Sequence, residues 1–232
     1  MRDARERLIV ALDVSSAAAA HKIVAAVGDS ARYYKVGLQL YTAEGPQIVR
    51  DLVSSGRQVF LDLKFHDIPN TVASAVKEAA KLGVSMLTVH AAGGSRMLHA
   101  AVDAARNTNA SPLILGVTVL TSLDTRDLEH AGLRGTVVDQ VSRLAALAIS
   151  NGCHGVVASA QEAGTLRAEF GDDFLIVTPG VRPPGSGHGD QARVVTPAEA
   201  IASGASYIVV GRPITEATDP GAEVREILAQ IG

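Results

Sequence analysis

Eight short apolar segments, rich in Val, Ile and Leu, recur along the chain. Each is as long as a strand, and most are nearly continuous in apolar residues, without the alternation expected of a half-exposed strand. Such runs are typical of parallel strands that are covered on both faces. The segments span residues 8–14, 33–38, 58–65, 86–91, 113–120, 155–159, 174–181 and 207–214.

Stretches with helical periodicity separate these segments, and they carry residues typical of helix ends. After the third segment, apolar residues recur with the helical period, which predicts a helix that begins at an Asn70 or Thr71 cap and ends at Gly83. The other predicted helices have similar start signals, in two cases a cap residue followed by Pro at the first helical position. These starts are Ser15 or Ser16, Thr136, Thr196-Pro197 and Asp219-Pro220.

The alternation of eight strands with helices predicts an α/β fold of the (β/α)8, or TIM, barrel type. A doubly wound open sheet gives the same alternation and is the alternative. The barrel is favoured because the first strand is not followed by a G-x-G-x-x-G turn, and because polar residues collect at the ends of many strands. The chain has no Pro/Ser/Gly-rich linker in its middle, so we expect residues 1–232 to form a single catalytic domain.

Composition narrows the classes of function. The chain has 21 Lys and Arg against 24 Asp and Glu, a net charge of −3, with 3% aromatic residues and no Trp, which argues against nucleic-acid binding. Its apolar runs are too short to span a membrane, and its charged N-terminus does not resemble a signal peptide. Cys153 is the lone cysteine, which excludes an intrachain disulfide and suits the reducing cytoplasm.

Charged residues of both signs follow the first three predicted strands. Asp13 belongs to the first, Lys35 to the second, and Asp62 and Lys64, two positions apart on one face, to the third; Asp67 follows in the next loop. Charges that face the interior of a barrel are costly unless they are paired or used. Ordinary ion pairs and a divalent metal site are the alternatives to a catalytic array. The two lysines argue against the metal, because they already neutralise the carboxylates.

A second group of residues follows the last two strands, where barrels of this class commonly bind phosphate. Arg182 and Arg212 suit bidentate phosphate contacts, and Gly180 and Gly211 let backbone N–H groups approach an anion. The glycine-containing loop Pro183–Gln191 could close over the phosphate as a lid, with its last residue reaching in. The sequence therefore predicts a phosphate site beside the charged residues.

Several motifs, in order along nearly the whole chain, resemble those of the orotidine 5′-phosphate decarboxylase family. The central one is D-x-K-x-x-D-I-P-N-T within LDLKFHDIPNT (61–71). The D-x-K-x-x-D part alone is shared with magnesium-dependent sugar-phosphate decarboxylases, whereas the whole set is more selective. The other motifs are ALD (11–13), KVGLQL (35–40), TVHAAGG (88–94), GVTVLTS (116–122), TPGVRP…GDQ-x-R (178–193) and VVGRPI (209–214).

The resemblance implies conversion of orotidine 5′-phosphate to UMP and CO₂, without a cofactor or a metal. It implies that Lys64 donates a proton to C6 of the pyrimidine and that Asp62 lies beside the substrate carboxylate. Lys35 and Asp13 would hold the charge array and contact the ribose. Asp67 would complete the site of a second subunit, so a homodimer with shared sites is expected. The remaining expected substrate contacts are Ile68, Thr71, Thr121, Arg182, Gln191, Gly211 and Arg212.

Two other functions stay open at this point. One is a magnesium-dependent sugar-phosphate decarboxylase or epimerase on the same barrel, whose activity EDTA would abolish. The other is a non-catalytic barrel that binds a phosphorylated ligand such as UMP and releases no CO₂.

Overall fold

The computed structural model describes residues 3–183 and 195–232, in which eight parallel strands close into a barrel. Each strand pairs with its neighbours in chain order, and the first pairs with the last, which confirms the predicted (β/α)8 architecture and excludes the open sheet. The strands are β1 Leu8–Ala11, β2 Tyr33–Gly37, β3 Gln58–Phe65, β4 Met86–His90, β5 Leu113–Val117, β6 Gly155–Val157, β7 Leu175–Thr178 and β8 Tyr207–Val210.

Helices follow the strands and form the outer layer. No helix within the described residues is both long enough and apolar enough to cross a membrane. Short 3₁₀ turns occupy Ala4–Glu6, Gly28–Ser30 and Ala91–Gly93. The α-helices are α1 Ala17–Val27, α2 Leu38–Glu44, α3 Gln47–Ser54, α4 Pro69–Lys81, α5 Gly94–Arg106, α6 Thr125–His130, α7 Val137–Ser150, α8 Ala160–Phe170, α9 Pro197–Ala202, α10 Arg212–Thr215 and α11 Pro220–Ile231.

Apolar side chains fill two separate cores, one on each side of the strand layer. The larger core lies between strands and helices and includes Leu8, Val10 and Leu61, whereas the residues that alternate with them point into the barrel. The inward cluster is Ile9, Ala11, Phe60, Met86, Leu115, Val177, Tyr207 and Val209. This cluster fills the interior of the barrel with apolar side chains, which leaves the C-terminal ends of the strands as the place for polar groups.

Most predicted helix caps are present, but the prediction of a cap at Asn70 or Thr71 for α4 was wrong. The side chains of Ser16, Thr136, Thr196 and Asp219 each accept a backbone N–H bond at the start of a helix. Helix α4 instead begins at Pro69, after Ile68, and has no side-chain cap. Proline suits the first helical position because its φ is preset and its missing N–H would have no intrahelical partner. The predicted cap residues, Asn70 and Thr71, therefore lie inside the first turn.

Several predicted strands ran too far toward their C-terminal ends. Strand β1 ends at Ala11, β5 ends at Val117, and β8 ends at Val210 with a helix starting at Arg212. Asp13, predicted to belong to the first strand, consequently lies beyond the end of β1, and Thr121 lies in a turn beyond the end of β5. Apolar residues continue past the last hydrogen bond between neighbouring strands, because these loops still cover the barrel. Composition alone therefore does not show where a strand ends.

Two glycines provide a matched test of barrel packing. A Cβ at Gly155 would collide with the carbonyl oxygen and Cβ of Leu175 on the neighbouring strand, whereas a Cβ at Gly164, exposed within α8, would meet no atom within 4 Å. We expect Gly155→Ala to lower the free energy of unfolding by about 1–3 kcal/mol through overpacking. Gly164→Ala should raise it by about 0.5–1 kcal/mol because alanine favours the helix. Urea unfolding followed by circular dichroism measures both; equal stability of the two variants would contradict this packing.

Candidate active site

One cavity at the C-terminal end of the barrel contains residues of both groups singled out in the sequence, Asp67 excepted. Its volume is about 650 Å³, and its walls come from β1, β2, β3 and the segments that follow β5, β7 and β8. The charged residues in its wall include Asp13, Lys35, Asp62, Lys64, Arg182 and Arg212. The closed barrel is what brings them together, since they lie as far apart in the chain as β1 and β8.

Four of these side chains form a series of alternating charge. Lys35 Nζ lies 2.7 Å from Asp13 Oδ1 and 3.8 Å from Asp62 Oδ2. Lys64 Nζ donates to both carboxylate oxygens of Asp62 at 2.9 Å. We call Asp13, Lys35, Asp62 and Lys64 the charge array. Its order along the barrel rim is the order of the strands that carry it.

The middle of the charge array is largely withdrawn from water. The side chains of Lys35 and Asp62 are 11% and 13% exposed, whereas that of Asp13 is 52% exposed. A buried charge is tolerated when opposite charges and hydrogen bonds compensate for lost hydration. Each buried member of the array has an opposite charge on both sides, so removal of one residue leaves its neighbour uncompensated.

Strand β3 departs from regular geometry where it carries the array. Its register with β4 shifts between Leu61 and Phe65, and Lys64 has a left-handed backbone with φ of 51°. Asp62 and Lys64 both line the cavity, as expected, while Leu63 and Phe65 pack against the outer core. The expectation assumed that side chains along β3 alternate regularly between the two faces of the strand, and the register shift interrupts that alternation.

Two residues that the sequence analysis missed support the array. The Thr88 hydroxyl donates to Asp62 Oδ1 at 3.0 Å and accepts the Lys64 backbone N–H at 2.9 Å. A Cβ at Gly37 would lie 2.8 Å from Lys35 Nζ and 2.9 Å from Asp13, so the missing side chain makes room for that pair. Both occupy inward positions near strand C-termini, a signal that could have identified them.

The opposite part of the cavity carries the two arginines. Arg182 is buried, and burial lowers the pKa of its guanidinium; the nearby Arg212 cation lowers it further, while Glu216 opposes the change. Gly180 has a φ of 74°, which favours glycine, and Gly211 lines the cavity close to Ala11. Two adjacent guanidiniums repel each other, and a bound dianion would relieve that repulsion.

The other predicted site residues are distributed differently. Thr121 lines the cavity, whereas Asp67, Ile68 and Thr71 are not among its described lining residues and are exposed. Ile68 is 66% exposed, and its backbone N–H donates to Asp67 Oδ1 at 2.6 Å. Gln191, with most of its loop, lies outside the described residues.

Two imidazoles lie next to the array. The rings of His66 and His90 are 5.3 Å apart at a tilt of 33°. Partial burial lowers the pKa of His90 from its ordinary value of 6.5, and His66 and the Lys64 cation lower it further. The lowered pKa favours the neutral form of His90 beside the Lys64 cation.

The donor atoms present do not form a metal site in the described part of the chain. Within residues 3–183 and 195–232, no three His, Cys, Asp or Glu side chains are grouped so that they could hold a metal ion. Both oxygens of Asp62 already accept from Lys64. A reaction without a metal stays a prediction that EDTA can test.

Comparisons with known proteins agree with the motifs. The family model described as "Orotidine 5'-phosphate decarboxylase / HUMPS family" matches residues 6–227. The orotidine 5′-phosphate decarboxylase of Moorella thermoacetica is 53% identical over 234 residues, covering 98% of this chain and 93% of the relative. That of Hydrogenovibrio crunogenus is 50% identical over 226 residues, covering 97% and 96%.

A solved structure agrees with the fold as well. The crystal structure of orotidine 5′-phosphate decarboxylase from Lactobacillus acidophilus superposes with a TM-score of 0.87 at 39% identity, covering 98% of this chain and 99% of that one. With the same barrel, matches over nearly its full length and the family's motifs at the rim of one cavity, this chain belongs to the orotidine 5′-phosphate decarboxylase / HUMPS family.

Proposed function

We propose that this chain catalyses the decarboxylation of orotidine 5′-phosphate to UMP and CO₂, the last step of de novo pyrimidine synthesis, without a cofactor. The observation that carries the proposal is the charge array in the same cavity as Arg182 and Arg212. Relatives about 50% identical to this chain carry the name of this activity. We further propose that residues 1–232 act as one catalytic domain.

The cavity is suited to a ligand with a phosphate at one end and a carboxylated ring at the other. Arg182 and Arg212, helped by Gln191 and the backbone at Gly211, would hold the phosphate. Asp13 and Lys35 would contact the ribose hydroxyls, and Thr121 would contact the pyrimidine amide. The substrate carboxylate would then lie beside Asp62, with C6 of the ring facing the Lys64 ammonium.

The reaction breaks the bond between C6 and the carboxylate carbon, and the electron pair stays on C6. Most enzymes delocalise such a pair into a cofactor. Here the Lys64 ammonium is held by both oxygens of Asp62 before the substrate binds, so little reorganisation is needed when charge develops on C6. Lys64 then donates a proton to C6 and completes UMP, and a proton from water restores the ammonium.

The phosphate contacts can assist a step that takes place far from them. Binding energy from a part of the substrate that does not react can hold the ring in an otherwise unfavourable position. Asp62 beside the substrate carboxylate is such an unfavourable neighbour, because the two groups carry the same charge. Loss of CO₂ removes that repulsion while the phosphate stays bound.

The exposed segment after β3 is suited to a second subunit. Asp67, Ile68 and Thr71 belong to the same motif as Asp62 and Lys64, but they are exposed and are not among the described residues that line the cavity of their own chain. We propose that they complete the active site of a partner in a homodimer.

We also propose a cytoplasmic location. Cys153 is buried, and burial raises the pKa of its thiol to about 12. Such a thiol is unreactive, which is compatible with that location.

The direct test is the ultraviolet change on addition of orotidine 5′-phosphate in excess EDTA. We expect conversion to UMP, since Lys64 and Asp62 supply the chemistry without a metal. Lys64→Ala should lower turnover by at least about 10³-fold because it removes the proton donor and the stabilising cation. Near-normal turnover by Lys64→Ala would contradict the mechanism. Activity toward a sugar phosphate that appears only with Mg²⁺ would contradict the proposed reaction.

Arg212→Ala tests the phosphate end of the cavity. We expect the affinity for UMP to fall about 10- to 100-fold, since a charge-assisted hydrogen bond contributes about 1.5–3 kcal/mol. Affinity for uridine, which lacks the phosphate, should change little. Calorimetric titration measures both, and Arg225→Ala, on the exposed face of α11, is the control. An unchanged affinity for UMP would contradict the assignment of this site.

Mixed dimers test whether Asp67 acts across an interface. Co-expression of Lys64→Ala and Asp67→Asn chains with different tags allows isolation of dimers that contain one of each. Each mixed dimer should regain one native site and about half of the wild-type turnover. Mixed dimers of Lys64→Ala with Asp62→Ala are the control and should remain inactive, because both changes affect residues of the chain's own site. No recovery in the first mixture would contradict the shared site.

A further inference from the structure

Thr88 lies in the barrel wall and contacts two members of the charge array. It is on β4, is 1% exposed, and is not among the described residues that line the cavity. Its hydroxyl bridges two parts of β3 by accepting the Lys64 backbone N–H at 2.9 Å and donating to Asp62 Oδ1 at 3.0 Å. One side chain therefore holds both the backbone of one array member and the carboxylate of another.

We infer that Thr88 is a positioning residue, which holds Lys64 in its left-handed backbone conformation and its ammonium against Asp62. The inference rests on the proposed function, because it concerns the group assigned as the proton donor. Thr88 would act through these two residues and would not contact the substrate.

The backbone at Lys64 requires such support. A φ of 51° is unfavourable for a residue with a Cβ, and it occurs where the register of β3 with β4 shifts between Leu61 and Phe65. Conformations of this kind persist when surrounding contacts determine them, and they are common at active sites. The hydrogen bond from the Lys64 N–H to Thr88 Oγ1 is a direct contact of this kind, from the neighbouring strand.

The two bonds also determine the direction of the hydroxyl proton. Because Thr88 Oγ1 accepts from Lys64 N–H, its own proton is free to point at Asp62 Oδ1. Asp62 Oδ1 also accepts from Lys64 Nζ at 2.9 Å, so the contacts form a ring from the Lys64 backbone through Thr88 and Asp62 to the Lys64 ammonium. Loss of the hydroxyl opens this ring and leaves the salt bridge as the remaining link.

This arrangement predicts separate effects on chemistry and on binding. The phosphate contacts assigned to Arg182 and Arg212 lie beyond the ends of β7 and β8 and do not involve Thr88. Loss of the hydroxyl should therefore displace the proton donor while the substrate binds as before. A displacement of about 1 Å at a reacting group commonly costs about 10²-fold in rate.

The experiment compares Thr88→Val, which keeps the shape without the hydroxyl, with Thr88→Ser, which keeps the hydroxyl. We expect kcat of Thr88→Val to fall about 10²-fold, with KM and the affinity for UMP within about threefold of wild type. Thr88→Ser should retain kcat within about threefold. Rates are divided by the number of UMP-binding sites, so that unfolded protein does not count. Thr88→Ala is the second variant without a hydroxyl and should show the same loss as Thr88→Val.

Thr118→Val controls for the removal of a buried hydroxyl from this barrel. Thr118 is 4% exposed, and its hydroxyl donates to the Val157 carbonyl of the neighbouring strand at 2.9 Å. Its variant should lose stability and keep kcat.

Three outcomes would overturn the inference. They are a kcat of Thr88→Val within threefold of wild type, equal loss in Thr88→Ser and Thr88→Val, or an affinity for UMP that falls in parallel with kcat. In each case an active wild type leaves the proposed function standing. A wild type that does not convert orotidine 5′-phosphate would overturn the proposed function and this inference with it.

Discussion

The Asp62 carboxylate lies between two ammonium groups, and the site depends on that arrangement. Its oxygens are 2.9 Å from Lys64 Nζ, and one of them is 3.8 Å from Lys35 Nζ. In a partly dehydrated barrel, the attraction between neighbouring opposite charges compensates for the hydration that each of them has lost. The surrounding structure serves this arrangement: Gly37 leaves space for Lys35, and β3 departs from regular geometry to direct Lys64 inward.

The barrel also separates two tasks within one cavity. The charge array lies along β1 to β3, and the arginines follow β7 and β8, so the phosphate and the reacting carbon of the proposed substrate would bind at different parts of the wall. This separation allows binding energy from the phosphate to support an unfavourable contact near Asp62. The parallel closed sheet makes this possible, because it places the C-terminal ends of all its strands at one rim.

Sequence patterns predicted strands and helix starts reliably where these depend on residues close together in the chain. Continuous apolar runs identified all eight strands, and cap residues such as Ser16 and Thr136 identified helix starts. They failed where two local signals competed, as at α4, where Pro69 rather than Asn70 or Thr71 begins the helix. They also failed at strand ends, because the end of pairing depends on the neighbouring strand and not on the composition of the segment.

The sequence by itself determined the barrel, the residue types of the charge array and the family, since apolar runs, paired charges and ordered motifs are all properties of the chain. Tertiary structure decided how those residues meet. The left-handed backbone of Lys64 and the Thr88 bridge occur where β3 pairs with β4, and the space at Gly37 lies where Lys35 of β2 meets Asp13, which follows β1. The physical reason is that a hydrogen bond or a close approach between strands depends on register, and register exists only when the sheet has formed.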